Sequence, residues 1–553
     1  MLRPFVLVRG DFMLQIRNLK KAFGIHEVIH QVTFSVSKGE CVALTGANGS
    51  GKSTVLKMII GELPVESGRI FMEEGTSVGY LRQNDVNSNE KVRYYLFKEF
   101  EHLKDVYQKI VERVNITDME YAALLDDFVH FGGYEIEAAI YRELSSFSFS
   151  EDIMDKQISE LSLGQRKIME IISILVSQPD LFIMDEPTNH LDISMRMMLE
   201  QLIQEKTLSG KTFLLVSHDR TFLDRVATKT VYIKRGVSEQ TDGGYSQMLE
   251  LLDMKFQSAK KESENIQKKI GELESLVTRK KGWADKAEKE KSGRGKKIIG
   301  RYSLDRGGAT AKKIAKSAKA YAGQKNRLIE DLKDKKPFVE KPVKLNIPPY
   351  SVETRKFIDC VACRFGYVPD EILLEDINLQ ITTRDKIALI GSNGSGKTTF
   401  FKLITGELNP LSGSIYRNEH INFTFLRQNI SSVFNKEILF DNFNDLGEDH
   451  QMVHAALKAS RLKEETLQRK VSQLSRGELV KAALVKAILN RSEFLLMDEP
   501  TNHLDVETLE VFQKMLEDFP GGLFFVSHDR RFVSQNADVI FLLEDKKLKI
   551  CRL

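Results

Sequence analysis

The chain has 553 residues, of which 42% are hydrophobic and 29% charged, with a formal net charge of +3 at pH 7. This length suggests about three or four domains of a soluble globular protein. An apolar run of roughly 18 residues, which a membrane-spanning helix needs, is absent from the sequence, and the apolar patch before Arg9 is too short for a secretory signal. The four cysteines indicate a reducing, cytoplasmic compartment, and the CxxC of Cys360 and Cys363 has no second ligand pair spaced for zinc.

The first motif along the chain is a glycine-rich loop. The apolar run ECVAL, typical of a buried strand, precedes GANGSGKS, and a helix-forming segment follows. The loop fits G-x-x-x-x-G-K-[ST], in which glycines let main-chain N–H groups surround phosphates at a helix N-terminus. The lysine would reach the β- and γ-phosphates, and the last hydroxyl would bind Mg²⁺. The residues expected to bind nucleotide here are Gly46, Ala47, Asn48, Gly49, Ser50, Gly51, Lys52 and Ser53.

Polar residues that end later strand patterns are the candidates for catalysis. LFIMDEP delivers Asp185, which we expect to hold Mg²⁺ directly or through water, and Glu186, which is placed to accept a proton from the attacking water. TFLLVSHD ends near His218, a candidate γ-phosphate contact, and Gln83 in YLRQN would sense Mg²⁺ or the attacking water. The alternatives are an ordinary surface turn for the two acids and a structural role for the histidine.

Each of these motifs occurs a second time, and the nonapeptide MDEPTNHLD is repeated without change. The sequence therefore predicts two copies of one α/β domain, the first beginning near Met13, which is also an alternative start. The same nucleotide, Mg²⁺ and catalytic roles are expected for Gly391, Ser392, Asn393, Gly394, Ser395, Gly396, Lys397, Thr398, Gln428, Asp498, Glu499 and His528.

The spacing between the copies locates an insertion. The two glutamines of the YLRQN-type motifs are 345 positions apart, whereas the two DE pairs are 313 apart. The first copy thus has about 32 extra residues between 84 and 160, in a stretch rich in helix formers. We expect a helical insertion within about 90–150 of a first domain at 13–245, and a second domain at 351–553.

Residues 246–345 belong to neither copy and are expected to form an antiparallel helical hairpin. Ile266, Ile270 and Leu273 have helical spacing, and a similar stripe runs from Ile314 to Leu332 after a glycine-rich break. From 255 to 340 there are 25 Lys and Arg against 12 Asp and Glu, and residues 291–327 have 12 basic residues and one acid. A solvated face is the alternative, but this asymmetry favours a polyanionic partner such as nucleic acid. Trp283, near the tip, would pack between the arms or stack on a base.

The order of these motifs resembles the ATP-binding cassettes of P-loop NTPases, twice over. LSLGQ at 161–165 and LSRGE at 474–478 stand where that family has its LSGGQ signature. The resemblance implies that two cassettes face head to tail, so that each ATP lies between one phosphate loop and the signature of the other cassette. Ser475 and Gly477 would then close on the first loop, and Ser162 and Gly164 on the second. Phe23 and Phe365 fall where the family stacks an aromatic ring on adenine.

Tandem cassettes with a basic linker and no membrane domain resemble the ABC-F family. The resemblance implies an ATPase that binds the ribosome at the tRNA exit site, contacts rRNA and tRNA through the linker and the arm-like insertion, and acts as a monomer. The long tip is similar to that of members which protect ribosomes from antibiotics. Alternatives are a housekeeping ABC-F translation factor, the ATPase subunit of a membrane transporter, a chromosome-type ATPase, and a clamp that scarcely hydrolyses ATP.

Overall fold

A computed structural model describes residues 12–83, 87–114, 116–294, 324–325, 328, 350–446 and 450–551. The chain divides into two compact units. One comprises Met1–Met248 and Val343–Leu553 and contains both copies of the repeated motifs, and the other comprises Leu249–Pro342. The predicted α/β class is confirmed. Among the described residues, no helix has both the length and the apolar character needed to cross a membrane.

The first copy is built on one nine-stranded sheet. Its strands are β1 (Phe12–Phe23), β2 (His26–Ser37), β3 (Cys41–Gly46), β4 (Ser67–Met72), β5 (Val78–Leu81), β6 (Leu181–Asp185), β7 (Thr212–Val216), β8 (Lys229–Lys234) and β9 (Val237–Asp242). They lie in the order β4-β1-β2-β9-β8-β3-β7-β6-β5. The strands β3, β6 and β7 are buried along their whole length, which explains their uninterrupted apolar sequences. Their parallel pairing brings their carboxyl ends to one edge.

The second copy divides the same strands between two sheets. The strands are β10 (Lys356–Phe365), β11 (Leu374–Thr382), β12 (Lys386–Ile390), β13 (Ser412–Arg417), β14 (Phe423–Leu426), β15 (Phe494–Asp498), β16 (Gly522–Val526), β17 (Val539–Glu544) and β18 (Lys547–Cys551). A three-stranded sheet has the order β11-β10-β13, and a six-stranded sheet the order β14-β15-β16-β12-β17-β18. Again the central strands β12, β15 and β16 pair in parallel, so their carboxyl ends share one edge of the sheet, and the motif loops begin there.

Helices cover the parallel strands of both copies. In the first copy, 3-10 helices included, they are Lys52–Ile59, Val92–Tyr95, Glu101–Glu112, Asp118–His130, Gly133–Ser146, Glu151–Asp155, Ile158–Glu160, Leu163–Val176, Ile193–Leu208 and Arg220–Val226. In the second copy they are Lys397–Ile404, Ile430–Val433, Phe440–Leu446, His450–Ala459, Glu464–Leu467, Val471–Gln473, Arg476–Leu489, Val506–Glu517 and Arg530–Asn536. The helices at 163 and 476 each begin with a reciprocal capping box, Ser162 with Gln165 and Ser475 with Glu478.

The stretch that carries the extra residues of the first copy contains a small core of its own. The Tyr107 ring stacks on Phe97 with ring centroids 4.6 Å apart, and on Phe128 with centroids 5.6 Å apart. Phe97, Tyr107 and Phe128 are buried. Aromatic packing of this kind allows the helices Glu101–Glu112 and Asp118–His130 to stand as a separate helical layer.

The helix Tyr245–Arg294, of 50 residues, opens the linker. Ile266 and Ile270 are buried in it with Leu273 packed beside them, as their helical spacing predicts. The expected second arm lies outside the described residues apart from 324–325 and 328. The basic tip at 295–323 and the side chain of Trp283 also lie outside them.

Candidate functional site

Both glycine-rich loops run from the end of a central strand into a helix, as their sequences predict. In the first loop, the Nζ of the buried Lys52 donates to the carbonyl oxygens of Gly46 (2.8 Å) and Ala47 (3.0 Å). Gly46 has a φ of +146°, and a Cβ there would lie 2.3 Å from the carbonyl oxygen of Ile233. The second loop repeats the arrangement, because Lys397 donates to the carbonyls of Gly391 and Ser392 over 2.9 and 2.8 Å. Each loop therefore curls around a buried ammonium group.

The paired acids leave the sheet at its carboxyl edge beside these loops. Asp185 ends β6, and Glu186 follows it with a left-handed φ of 53°; Glu499, which follows Asp498, has a φ of 50°. A left-handed backbone is unfavourable for a glutamate by roughly 1 kcal/mol and is typical of functional positions. Burial raises the pKa of Asp498 to about 6 and that of Asp185 above its ordinary value, while the nearby hydroxyls of Thr398 and Ser53 act on these two carboxylates in the opposite direction.

A histidine faces the glutamate at each site, half-buried in the case of His218 and buried in the case of His528. The Nε2 of His218 lies 3.3 Å from Oε1 of Glu186, and the Nε2 of His528 lies 3.3 Å from Oε1 of Glu499. Burial lowers the pKa of His218 to about 3 and also lowers that of His528, so both rings are neutral at pH 7. In each copy the structure thus brings together the loop, the acids and the histidine that the sequence singled out.

The pKa values of the two glutamates shift in opposite directions. For Glu186, burial dominates and raises the pKa. Burial acts on Glu499 in the same direction, but the interactions with His528, Lys397 and Arg196 together outweigh it and leave the pKa below the ordinary value. The sites are therefore alike in composition and unlike in electrostatics.

Each phosphate loop is also held by the opposite copy. The main-chain N–H of Asn48 donates to Oδ2 of Asp505 over 2.7 Å, and that of Asn393 donates to Oδ2 of Asp192 over 3.3 Å. The Asn393 side chain also donates to the carbonyl oxygen of His190 over 2.8 Å. These contacts join residues from both ends of the chain, so both sites are composite.

The signature residues of the first copy reach the second site. A cavity of about 370 Å³ is lined by both, together with the glutamine, glutamate and histidine of the second copy: Ser162, Gly164, Gln428, Glu499 and His528. A Cβ on Gly164 would lie 3.4 Å from the Asn393 amide and 2.6 Å from the carbonyl of His190, so only glycine permits this approach.

The first site has a larger cavity, of about 600 Å³, and a different wall. It contains the predicted residues Phe23, Asn48, Gly49, Gly51, Lys52, Ser53, Gln83, Asp185, Glu186 and His218. The described residues that line it do not include Ser475 or Gly477. Gly477 instead packs against Thr508, three residues beyond the Asp505 that holds Asn48.

The two candidate adenine-binding aromatics differ in position. Phe23 is 48% exposed and lines the first cavity, as a stacking residue must. Phe365 ends a strand and is only 6% exposed within the core, where it offers no face to a base. Two residues later, Tyr367 is 64% exposed, and its hydroxyl lies 3.0 Å from Oγ1 of Thr399 in the helix that follows the second loop. Tyr367 is therefore the better-placed aromatic at the second site.

Comparison with known proteins gives the chain its family. The family described as "ABC transporter" matches residues 29–189 and 374–502, which is more than half of the chain. "ABC transporter F family member 5" of Arabidopsis thaliana is 30% identical over 96% of this chain and 75% of its own length. "Putative ATP-binding protein YdiF" of Bacillus subtilis is 30% identical over 97% of this chain and 81% of its own. The chain belongs to the ABC-F family.

Membership of this family makes the protein an ATPase, and the two candidate sites are those of its two ATP-binding domains.

Solved structures share the fold. "RNase-L Inhibitor" superposes with a TM-score of 0.56 at 18% identity, over 95% of this chain and 87% of its own. "Model of ribosome-bound archaeal Pelota and ABCE1" gives 0.56 at 18% identity, over 97% and 78%. The predicted tandem-cassette fold is thereby confirmed.

The side chains of this ABC-F protein fit ATP at both sites. The loop hydroxyls of Ser50 and Ser395 are buried and have no hydrogen-bond partner among the described residues, so they are available to a phosphate. Oδ1 of Asp498 is equally unpartnered within that part of the chain. Each site also pairs a hydroxyl with a carboxylate, the oxygen ligands that a small hard cation such as Mg²⁺ prefers.

Several residues of these sites were missed from sequence. Asp192 and Asp505 close the phosphate loops, and Arg196 links the halves by donating to Asp219 (2.7 Å) and to the carbonyl oxygen of His528 (3.2 Å). A signal was present for the two aspartates, since they end the repeated nonapeptide MDEPTNHLD. Tyr367 gave a weaker signal, as an aromatic residue close to the predicted Phe365.

Proposed function

We propose that this ABC-F ATPase acts on the ribosome, and that ATP-driven closure of its cassettes positions the basic linker near the peptidyl-transferase centre. The composite geometry of the two sites carries the proposal, because a ligand that touches both halves favours the closed state. The linker supplies the partner argument, with 25 basic against 12 acidic residues from 255 to 340. Two solved structures of the same fold support it: one is an archaeal ribosome recycling factor in complex with a ribosomal stalk protein, and the other is ribosome-bound archaeal ABCE1.

In this proposal the chemistry follows the side chains already described. Glu186 and Glu499 would accept a proton from the attacking water, and the neutral His218 and His528 would contact the γ-phosphate. Ser53 with Asp185, and Thr398 with Asp498, would hold Mg²⁺, which would supply charge neutralisation at the phosphates. Gln83 and Gln428 would sense that ion or the water, and Phe23 would stack on adenine at the first site.

Contacts at the start of the linker helix suggest how closure is transmitted. Ser246 donates from both its main-chain N–H and its hydroxyl to Asp224 of the first copy, each over 2.6 Å. The neighbouring Tyr245, which is 2% exposed, donates from its hydroxyl to Glu510 of the second copy over 3.5 Å. The first turn of the linker is thus attached to both cassettes, so a change in their separation must act on it.

Trapping on ribosomes tests the proposal. The double variant Glu186→Gln, Glu499→Gln should bind ATP, hydrolyse it slowly and co-sediment with ribosomes when ATP is present. The matched control is Lys52→Ala with Lys397→Ala, which lacks both phosphate-loop ammonium groups and should stay in the supernatant. A glutamine double variant that sediments free of ribosomes in ATP contradicts the proposal.

A second candidate within this proposal is protection of the ribosome against large-subunit antibiotics rather than a housekeeping role in elongation. It is favoured by the concentration of charge at 291–327, where 12 basic residues accompany one acid. Drug susceptibility with and without the gene, across several classes of large-subunit inhibitor, separates the two. Co-purification with a membrane protein would instead favour a transporter subunit.

A further inference from the structure

Arg476 departs from the signature pattern and contacts the site of its own cassette. It is the first residue of the helix Arg476–Leu489, directly after the capping residue Ser475. Its Nη1 donates to the main-chain carbonyl oxygen of Gln428 over 2.7 Å, and its Nη2 to that of Glu499 over 3.0 Å. A guanidinium group suits this task, since its rigid fork presents two donors to two separate acceptors.

Both carbonyls belong to functional residues of the second site. Gln428, Arg476 and Glu499 line the same cavity of about 370 Å³. The Glu499 main chain is held in a left-handed conformation, and the side chain of Asn502 donates to its carboxylate while His528 lies against the other oxygen. The Arg476 contact completes this bracing by fixing the carbonyl of the same residue. It therefore orients Glu499 without touching its carboxylate.

The first cassette is built differently at the equivalent place. Leu163 stands at this position of the first signature, is 44% exposed and has no side-chain donor. There Lys167, one turn further along the helix, donates to the carbonyl of Arg82 over 2.6 Å. That contact ties the helix to the glutamine loop but does not extend to Glu186. The bridge between glutamine loop and catalytic glutamate is a feature of the second cassette.

We propose that Arg476 is a positioning residue of the second nucleotide site, in its own cassette, although its motif belongs to the signature expected to serve the first site. It holds Gln428 and Glu499 in a fixed relation through their main-chain carbonyls. The signature helix of the second cassette also packs, through Gly477, against Thr508, close to the Asp505 carboxylate that holds Asn48. Arg476 therefore connects the two sites mechanically. The inference rests on the ATPase activity of the family and is independent of the ribosome.

The test uses the full-length protein without ribosomes. In a Glu186→Gln background, which leaves the second site to report turnover, Arg476→Leu should lower kcat about tenfold while KM changes less than about twofold, as expected for lost positioning rather than lost binding. Arg476→Lys should not fully restore kcat, since one ammonium nitrogen then replaces the two guanidinium nitrogens that each hold a separate carbonyl. Arg427→Leu is the matched control, because Arg427 adjoins Gln428 but pairs with the partly exposed Glu407 over 2.9 Å.

Hydrogen–deuterium exchange on the nucleotide-free protein supplies a readout that does not depend on activity. Arg476→Leu should speed exchange in peptides that contain residues 427–432 and 498–503, and leave the equivalent peptides of the first cassette unchanged. Unchanged exchange at both segments, or full recovery of kcat by Arg476→Lys, overturns the proposal. So does an equal or larger loss of kcat in a Glu499→Gln background, because Arg476 would then serve the first site.

Discussion

The main-chain N–H of Asn48 donates a 2.7 Å hydrogen bond to Asp505, which lies 457 positions away in the chain. Asp505 also caps the helix Val506–Glu517, because its other carboxylate oxygen accepts from the N–H of Thr508 over 2.7 Å. One side chain therefore both begins a helix of the second cassette and holds the phosphate loop of the first. Burial opposes its ionisation, but these main-chain donors keep the pKa of Asp505 below its ordinary value.

Replacement of Asp505 by serine should separate these two roles. Serine caps helices well but is too short to reach Asn48, so folding stability should change little while closure weakens. A hydrogen bond to a charged group contributes about 1.5–3 kcal/mol, so we expect roughly tenfold weaker ATP binding in the glutamine double variant. Asp192→Ser is the matched control at the longer 3.3 Å contact and should have the smaller effect. ATP affinity is measured by isothermal titration. If Asp505→Ser left it equal to that of the parent glutamine double variant, the contact between Asn48 and Asp505 would not couple the two cassettes.

Replacement of Tyr367 by alanine should weaken ATP binding at the second site. Stacking on a base contributes about 1–3 kcal/mol, which corresponds to roughly a tenfold rise in Kd. The measurement is a titration with a fluorescent ATP analogue in a Lys52→Ala background, where the first site is disabled. Phe365→Ala should instead act on folding, because removal of a buried phenylalanine costs about 3–5 kcal/mol. If Phe365→Ala weakened binding while the protein kept its Tm, the assignment of Tyr367 would be wrong.

Replacement of Arg220 by methionine should destabilise the pairing of the cassettes. Arg220 is 2% exposed and donates across the interface to Gln513 over 2.9 Å and to Asp529 over 3.4 Å. Breaking a buried ion pair by removing one partner costs about 3–5 kcal/mol, since the other charge stays buried. Arg113→Met is the control, because Arg113 and its partner Asp118 are 57% and 97% exposed and a surface pair contributes under about 1 kcal/mol. Urea denaturation should show a lower midpoint for Arg220→Met alone; equal midpoints would mean that the interface does not depend on this cation.

The local parts of each site were predictable from sequence. The strand, loop and helix around Lys52 depend on contacts between residues close in sequence. An apolar run that ends in glycines or acids is therefore enough to predict them. The motif pattern pointed to Phe365 as an adenine-stacking residue, whereas strand β10 turns that ring into the core and leaves Tyr367 exposed. Which of two nearby aromatics faces a ligand depends on where the strand stops.

The sequence by itself determined that the chain carries two copies of one nucleotide-binding motif set, since the repeated motifs are visible in the amino-acid sequence. Only the tertiary structure decided which residues of one copy meet the other, as Asn48 meets Asp505, and that Arg476 turns toward Glu499. The physical reason is that a motif is specified by neighbouring residues, whereas a composite site depends on side-chain directions set by packing between segments hundreds of residues apart.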